Sequence, residues 1–214
     1  MTWFVSSTNM QELKAEKPPE SPAGSDPVTR LIARLVEEGF TADQDQEEWE
    51  EFGEIIYRRT EKIAFARGVT IFIFTRVPDL TERVLRQASE SVVKTWQARN
   101  AAQKALSVLQ STTVYHCLVA PGDQPHNDSL VKYVTRSGGA TFLPIVIVPE
   151  INQVIYPDLE EKIGTIKPRI EYFRYLIGER REPIDMHRPT LQAIWVAMGV
   201  VVLLVLAIVI ALVH

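Results

Sequence analysis

Val69-Thr70-Ile71-Phe72-Ile73-Phe74-Thr75, VTIFIFT, is the stretch whose reading decides the fold. Apolar residues fill both alternating sets, so a strand here has no face left for water, and it reads as a central strand covered on both sides. Gly68 stops the segment before it, and Pro78-Asp79 make the turn after it. Two further runs read the same way: TTVYHCLVA (Thr112 to Ala120) and FLPIVIV (Phe142 to Val148). Pro144 has no N–H for a ladder, so the third strand is expected to begin there or to lie toward an edge.

Helical patterns separate these runs. From Leu80 to Gln110, Leu80, Val84, Leu85, Ala88, Val92, Trp96, Ala102 and Leu106 line one side, with Thr81 sharing the capping. The stretch is long for a small domain, so it either breaks near Asn100 or projects. Ser129 to Arg136 reads as a short helix ended by Ser137-Gly138-Gly139. After the third strand, Pro149-Glu150-Ile151-Asn152 makes a tight connection and Gln153 to Tyr156 pairs back as a hairpin. Lys167 to Ile177 is a last amphipathic helix with Ile170, Phe173, Leu176 and Ile177 inward, ended by Gly178.

Upstream, Asp26 caps a helix that has Pro27 at its first position. Val28, Leu31, Ile32, Leu35 and Val36 give it one buried face, and Gly39 closes it. TADQDQEEWEEFGE then opens a second predicted helix, running to about Arg67. Its acids come first, its bases (Arg58, Arg59, Lys62, Arg67) last, as a helix dipole prefers, and Trp49, Phe52, Ile56 and Ile63 form a stripe. Asp43, Asp45, Glu47 and Glu54 also fall at positions one, three, five and twelve of a calcium loop. The sixth position, where the sharp turn demands Gly, is Glu48, so a solvated helix face is the better reading.

The expected fold class is therefore α/β, a small three-layer domain with a mixed, mainly parallel sheet in the order α-α-β-α-β-α-β-β-α. From Val69 to Ile177 this order is similar to the thioredoxin fold, including a Pro at the start of the third strand. That family's redox motif belongs where the first strand meets its helix. Here the place reads Thr75-Arg76-Val77-Pro78-Asp79, without cysteine, so no thiol–disulfide activity is implied. A truncated Rossmann-like or nuclease-like domain has nearly the same succession of elements.

The chain divides into a flexible arm (1–26), the α/β domain (27–178), a polar linker (179–190) and a final stretch, Leu191 to Val213, LQAIWVAMGVVVLLVLAIVIALV. From Ala193 onward that stretch holds no charge, Asn, Gln or Pro. About 21 such residues in a helix rise roughly 32 Å, a bilayer's hydrocarbon thickness, and the stretch reads as a transmembrane helix. The N-terminus lacks the pattern of a signal peptide, and the topology resembles that of tail-anchored membrane proteins. Arg174, Arg180, Arg181, His187 and Arg188 precede the span, and His214 follows it. The domain is accordingly expected in the cytoplasm, with Trp195, Arg180, Arg181 and Arg188 as interfacial anchors and anionic head groups attracting a basic face of the last helix and linker, Lys167, Arg169, Arg174, Arg180, Arg181 and Arg188. The sequon Asn127-Asp128-Ser129 is a built-in topology check.

Composition narrows the chemistry. Charged residues are 23 % and the net charge is −4, which argues against nucleic acid as a partner. One cysteine, Cys117, excludes an internal disulfide and suits a reducing compartment. Among Gly-rich phosphate loops, GxGxxG and GxSxG elbows, none is present, and no metal or cofactor is expected. His116 and Cys117 are strand neighbours pointing to opposite faces, so they cannot form a nucleophile–base pair. Ligands of open α/β sheets bind beyond the carboxyl ends of the strands. That places the candidates at Arg76 and Asp79, at Asp123, His126 and Asp128, and at Glu150. The expected function is a membrane-tethered, non-enzymatic module that binds a protein partner, an accessory subunit of a membrane complex being one form of it. The alternative is a tethered enzyme or nucleotide-binding regulator working through the strand-end loops.

Overall fold

A computed structural model describes residues 26–42, 55–63, 66–100, 110–122, 127–137, 139–157, 166–184 and 188–213. Its elements are α1 (Pro27–Glu37), β1 (Thr41–Ala42), β2 (Ile55–Ile63), β3 (Ala66–Arg76), α2 (Glu82–Asn100), β4 (Gln110–Val119), α3 (Asn127–Val131), β5 (Thr135–Ser137), β6 (Ala140–Val148), a 3-10 turn (Pro149–Ile151), β7 (Gln153–Ile155), α4 (Lys167–Leu176) and α5 (Arg188–Val213).

Seven strands form one mixed sheet in the order β1-β2-β3-β4-β6-β5, with β7 also on β6. The three runs read as buried strands make its parallel centre, β3 beside β4 beside β6. Side-chain alternation sends Phe72, Phe74, Tyr115, Cys117, Leu143, Ile145 and Ile147 toward α1 and α4. It sends Val69, Ile71, Ile73, Val114, Phe142, Leu118 and Val146 toward α2 and α3. The class is thus α/β in three layers. On the α1–α4 side the core centres on Phe72, whose ring stacks on Tyr115 at 4.5 Å and meets Phe40 edge-on at 5.4 Å.

Both termini of α1 form as its residues predict. The Asp26 carboxylate accepts from the Val28 and Thr29 N–H groups at 2.8 and 3.2 Å. At the other end Gly39 N–H donates to the Val36 carbonyl and Phe40 N–H to that of Leu35, with Gly39 left-handed at φ 79°. This Schellman turn drops Phe40 into the core beside Phe72. Val36, expected on the buried face, is exposed; Leu31 and Leu35 carry the contact.

Three expectations are corrected. The helix predicted from Thr41 to Arg67 is not one: Ile55–Ile63 is a strand that pairs antiparallel with β3, and Thr41–Ala42 pairs with it in turn. Ile56 opposite Ile73 buries on the α2 side, while Tyr57 and Arg59 face α1 and α4, so period two wins over the charge order that suggested a dipole. The calcium-loop residues Asp43, Asp45, Glu47 and Glu54, with Trp49 and Phe52, lie outside the described residues.

The helix predicted from Ser129 to Arg136 stops at Val131. Thr135–Ser137 instead pairs with Ala140–Phe142 across a hairpin in which Gly139 takes φ 78°. Pro144 lies mid-strand rather than at a strand's start. Ile147 turns its carbonyl toward β4 to accept from Ala120 N–H, so even-numbered residues of β6 present their backbone groups to the other side. On that side β5 ends opposite Phe142 and β7 begins opposite Val146. The missing N–H of Pro144 falls in the gap between them. The Pro that carried the likeness to the thioredoxin fold thus has another explanation. α2 begins at Glu82, capped by the Thr81 hydroxyl accepting from Val84 N–H at 3.3 Å, and runs to Asn100, the residue near which a break was one of the two expectations. Residues 101–109 lie outside the described ones.

α5 is one continuous helix of 26 residues. Every large apolar side chain described on it, from Trp195 to Ile210, is exposed. Those described residues fall in the runs 195–196, 198–206 and 208–210. Counted over described residues alone, no helix is long and apolar enough to cross a membrane.

Candidate functional site

The carboxyl ends of β3, β4 and β6 and the first turn of α1 enclose a cleft of about 560 Å³. Its floor is apolar, from Phe74, Val77, Val119, Ala120 and Pro121; its polar groups are Arg76, Glu150, Asp26 and Thr29. Of the residues chosen from the sequence, the structure brings Arg76 and Glu150 together here. Asp79 is exposed in the turn after β3 and does not line the cleft. Asp123 and His126 lie outside the described residues, as does the side chain of Asp128. Asp26 was readable as a helix cap but not as a wall of this cleft. The Thr29 hydroxyl bonded to it holds its carboxyl below the usual range, so it is an anion already engaged by α1.

Two polar side chains lie within the sheet's own layers. His116 and Cys117 do point to opposite faces. The Cys117 thiol is buried on the α1–α4 side, where burial pushes its pKa far up and leaves it an inert, apolar group. His116, on the α2 side, has Nε2 at 3.1 Å from the Thr75 hydroxyl, and its Nδ1 is buried without a hydrogen-bond partner among the described residues. Burial lowers its pKa to about 4, so it is neutral at physiological pH. It sits between Val114 and Leu118, dividing the two apolar clusters under α2. Arg169 of α4, expected on the basic face toward the membrane, is instead buried, because Thr113 and Ser111 of β4 supply acceptors for its guanidinium. Its Nε donates to Thr113 at 2.8 Å and a terminal nitrogen to Ser111 at 3.3 Å, while the Tyr115 hydroxyl donates to its carbonyl at 2.7 Å. These bonds lock α4 onto β4.

A second polar cluster ties β2 to both helices. The Arg59 guanidinium lies 4.7 Å from the Phe40 ring and 5.4 Å from that of Tyr172, and it pairs with Glu61 at 2.6 Å and donates to the Glu38 carbonyl at 2.8 Å. Arg34 pairs with Glu37 and donates to Tyr175, whose hydroxyl donates to Glu38 at 2.6 Å. The chemistry is fastening rather than turnover.

Next to it, between α1 and the end of α4, runs a groove of about 390 Å³ with Arg30, Arg34, Arg180 and Arg181 in its walls and Glu37 as its one acid. Sequence reading had Arg180 and Arg181 as interfacial residues but missed Arg30 and Arg34. Their spacing of one helical turn, off the buried stripe of α1, was the available signal.

The described residues thus make a three-layer α/β domain with a strand-end cleft and a basic groove, followed by an apolar helix. Comparison with protein families, with curated proteins and with solved structures finds no match to this chain.

Proposed function

We propose that this chain is a single-pass membrane protein held in the bilayer by α5, with its α/β domain on the cytoplasmic side, and that the domain binds a protein partner rather than catalysing a reaction. The observation that carries the reading is α5 itself. Its 26 residues extend about 39 Å. Seven consecutive positions, Val200 to Leu206, are all apolar and exposed, so no face of the helix is suited to water. Leaving these side chains half-exposed in water forgoes on the order of 10–20 kcal/mol of burial, which hydrocarbon supplies. Orientation rests on Arg174, Arg180, Arg181 and Arg188 before the span.

The test has two parts. Alkaline extraction of membranes should leave the chain in the pellet, and Asn127 should carry no glycan in a eukaryotic host; a soluble chain or a glycan overturns anchor or orientation. Affinity purification of the full chain from a mild detergent should bring a stoichiometric partner, including the case of a larger membrane complex, and a lone monomer counts against partner binding. The meeting of Arg76 and Glu150 at one cleft favours a second reading, a small polar ligand bound at the strand ends. Arg76→Ala with Glu150→Gln should then abolish binding of that ligand while leaving fold and anchoring intact.

A further inference from the structure

We infer that the groove between α1 and the end of α4 is a docking surface for the phosphate groups of anionic lipids, so that the domain sits down on the membrane that holds it; this rests on the reading of α5 as the anchor. Four arginines face one carboxylate in the groove's walls. Two of them are already engaged: Arg34 pairs with Glu37 at 2.9 Å and Glu38 at 3.5 Å, and Arg180 pairs with Glu171 at 2.7 Å. Glu171 and Glu179 also hold Arg174, behind the groove. Arg30 and Arg181 are different. Among the described residues neither has a carboxylate within 4 Å. Arg30 is nonetheless oriented, because its guanidinium donates to the neutral side-chain oxygen of Asn152, the left-handed residue after the 3-10 turn. A positioned but un-neutralised arginine is suited to an incoming phosphate, which it meets with a fork of donors.

Tethering selects the source of that phosphate. Six residues separate Arg181 from the first residue of α5, Arg188, and even fully extended the seven steps between them reach only about 25 Å. The groove is therefore kept within a short distance of the head groups on the domain's side, and docking is an intramolecular event at high effective concentration. The same charges placed far from a membrane would have no such bias toward lipid over free phosphate.

The test uses the full chain in nanodiscs, either purely phosphatidylcholine or with about a third phosphatidylserine. Hydrogen exchange should slow in α1 and in 177–184 only in the anionic discs, and the difference should vanish in high salt, where screening shortens to a few ångströms. Each arginine near an anionic surface contributes about a five-fold bias. Arg30→Gln with Arg181→Gln should thus shift the docked-to-undocked ratio about 25-fold and erase the difference, with the thermal midpoint unchanged. Inositol phosphate added to phosphatidylcholine discs should produce no comparable slowing. Equal protection in both discs, or protection retained by the double variant, overturns the docking surface while leaving the anchor intact. A chain that fails to enter nanodiscs overturns both, and the failure of incorporation identifies the anchor as the fault. Protection produced by free inositol phosphate alone, or only by an acidic protein, overturns the lipid assignment.

Discussion

The strongest test of the anchor is to place charge at its centre. Leu203 and Leu204 are the midpoint of the apolar run and are 67 % and 59 % exposed on the isolated helix, so replacing them disturbs no packing among the described residues of the α/β domain. A Leu at the centre of an inserting helix contributes about −0.5 kcal/mol, and an Asp opposes insertion by about 3 kcal/mol. Leu203→Asp with Leu204→Asp thus shifts insertion by roughly 7 kcal/mol. The Leu, Ile and Val residues of the run together favour insertion by about 5–9 kcal/mol on the same scale. The double variant therefore loses most or all of its drive to insert, whereas Leu203→Ala with Leu204→Ala shifts it by only about 1 kcal/mol and should behave as the parent. The assay is the fraction of chain remaining with membranes after alkaline carbonate, supported by denaturation of the α/β domain to show that its fold is retained. Equal membrane retention of the parent and the double-Asp variant would refute the reasoning, because no spanning helix tolerates two adjacent carboxylates at its centre without loss.

The α/β domain offers three further checks. Phe72→Ala removes a fully buried ring stacked between its neighbours and should destabilise the domain by about 3–5 kcal/mol in urea titration; a loss below about 1 kcal/mol would show that Phe72 is not the centre of the core. Asp26→Ala should cost about 1 kcal/mol at neutral pH through the lost cap. Since the folded carboxyl titrates below its unfolded value, that stabilisation is present above the unfolded pKa and disappears as pH falls through the folded one, so parent and variant should converge in acid. His116 titrates at about 4 when folded, against 6.5 when unfolded, so between those values the unfolded chain binds a proton that the folded one refuses. Stability should fall by up to about 3 kcal/mol as pH drops from 7 to 4, and His116→Gln should flatten that slope in urea midpoints measured across the range.

How much of this was legible in the sequence follows from what each element answers to. The three parallel strands were readable because burial on both faces leaves an unbroken apolar run, and α1 and α4 because caps and stripes are local. The segment Ile55–Ile63 was not. Its Arg58, Arg59, Glu61 and Lys62 suit a helix surface as well as a strand. Only the tertiary partners decide: Ile73 opposite Ile56, and the Phe40 and Tyr172 rings that receive Arg59. Thr135–Ser137 was misread for the same reason, since an edge strand of three residues exists only by pairing with Ala140–Phe142. Pro144 misled because the rule against proline in a sheet concerns a missing donor, and the sheet leaves that side of β6 open just there.

The two polar sites divide along the same line. Arg76 and Glu150 were found because a general rule about strand ends locates them without knowledge of contacts. The basic groove obeys no such rule. Its walls lie about as far apart in sequence as the domain allows, with Arg34 reaching Tyr175 across 141 residues and Arg30 reaching Asn152 across 122. Charge count is equally silent, since a net charge of −4 hides four arginines gathered on one edge. What makes that edge distinctive is the pairing within it. Arg34 and Arg180 are already engaged by carboxylates, while Arg30 is oriented by a neutral amide and Arg181 has no carboxylate among the described residues. A salt-bridged surface arginine contributes little to stability and is poorly available to a ligand. An arginine held in place by Asn152 keeps its charge for something outside the domain, and the chain's own apolar helix, a few residues beyond the groove, places an anionic surface within its reach.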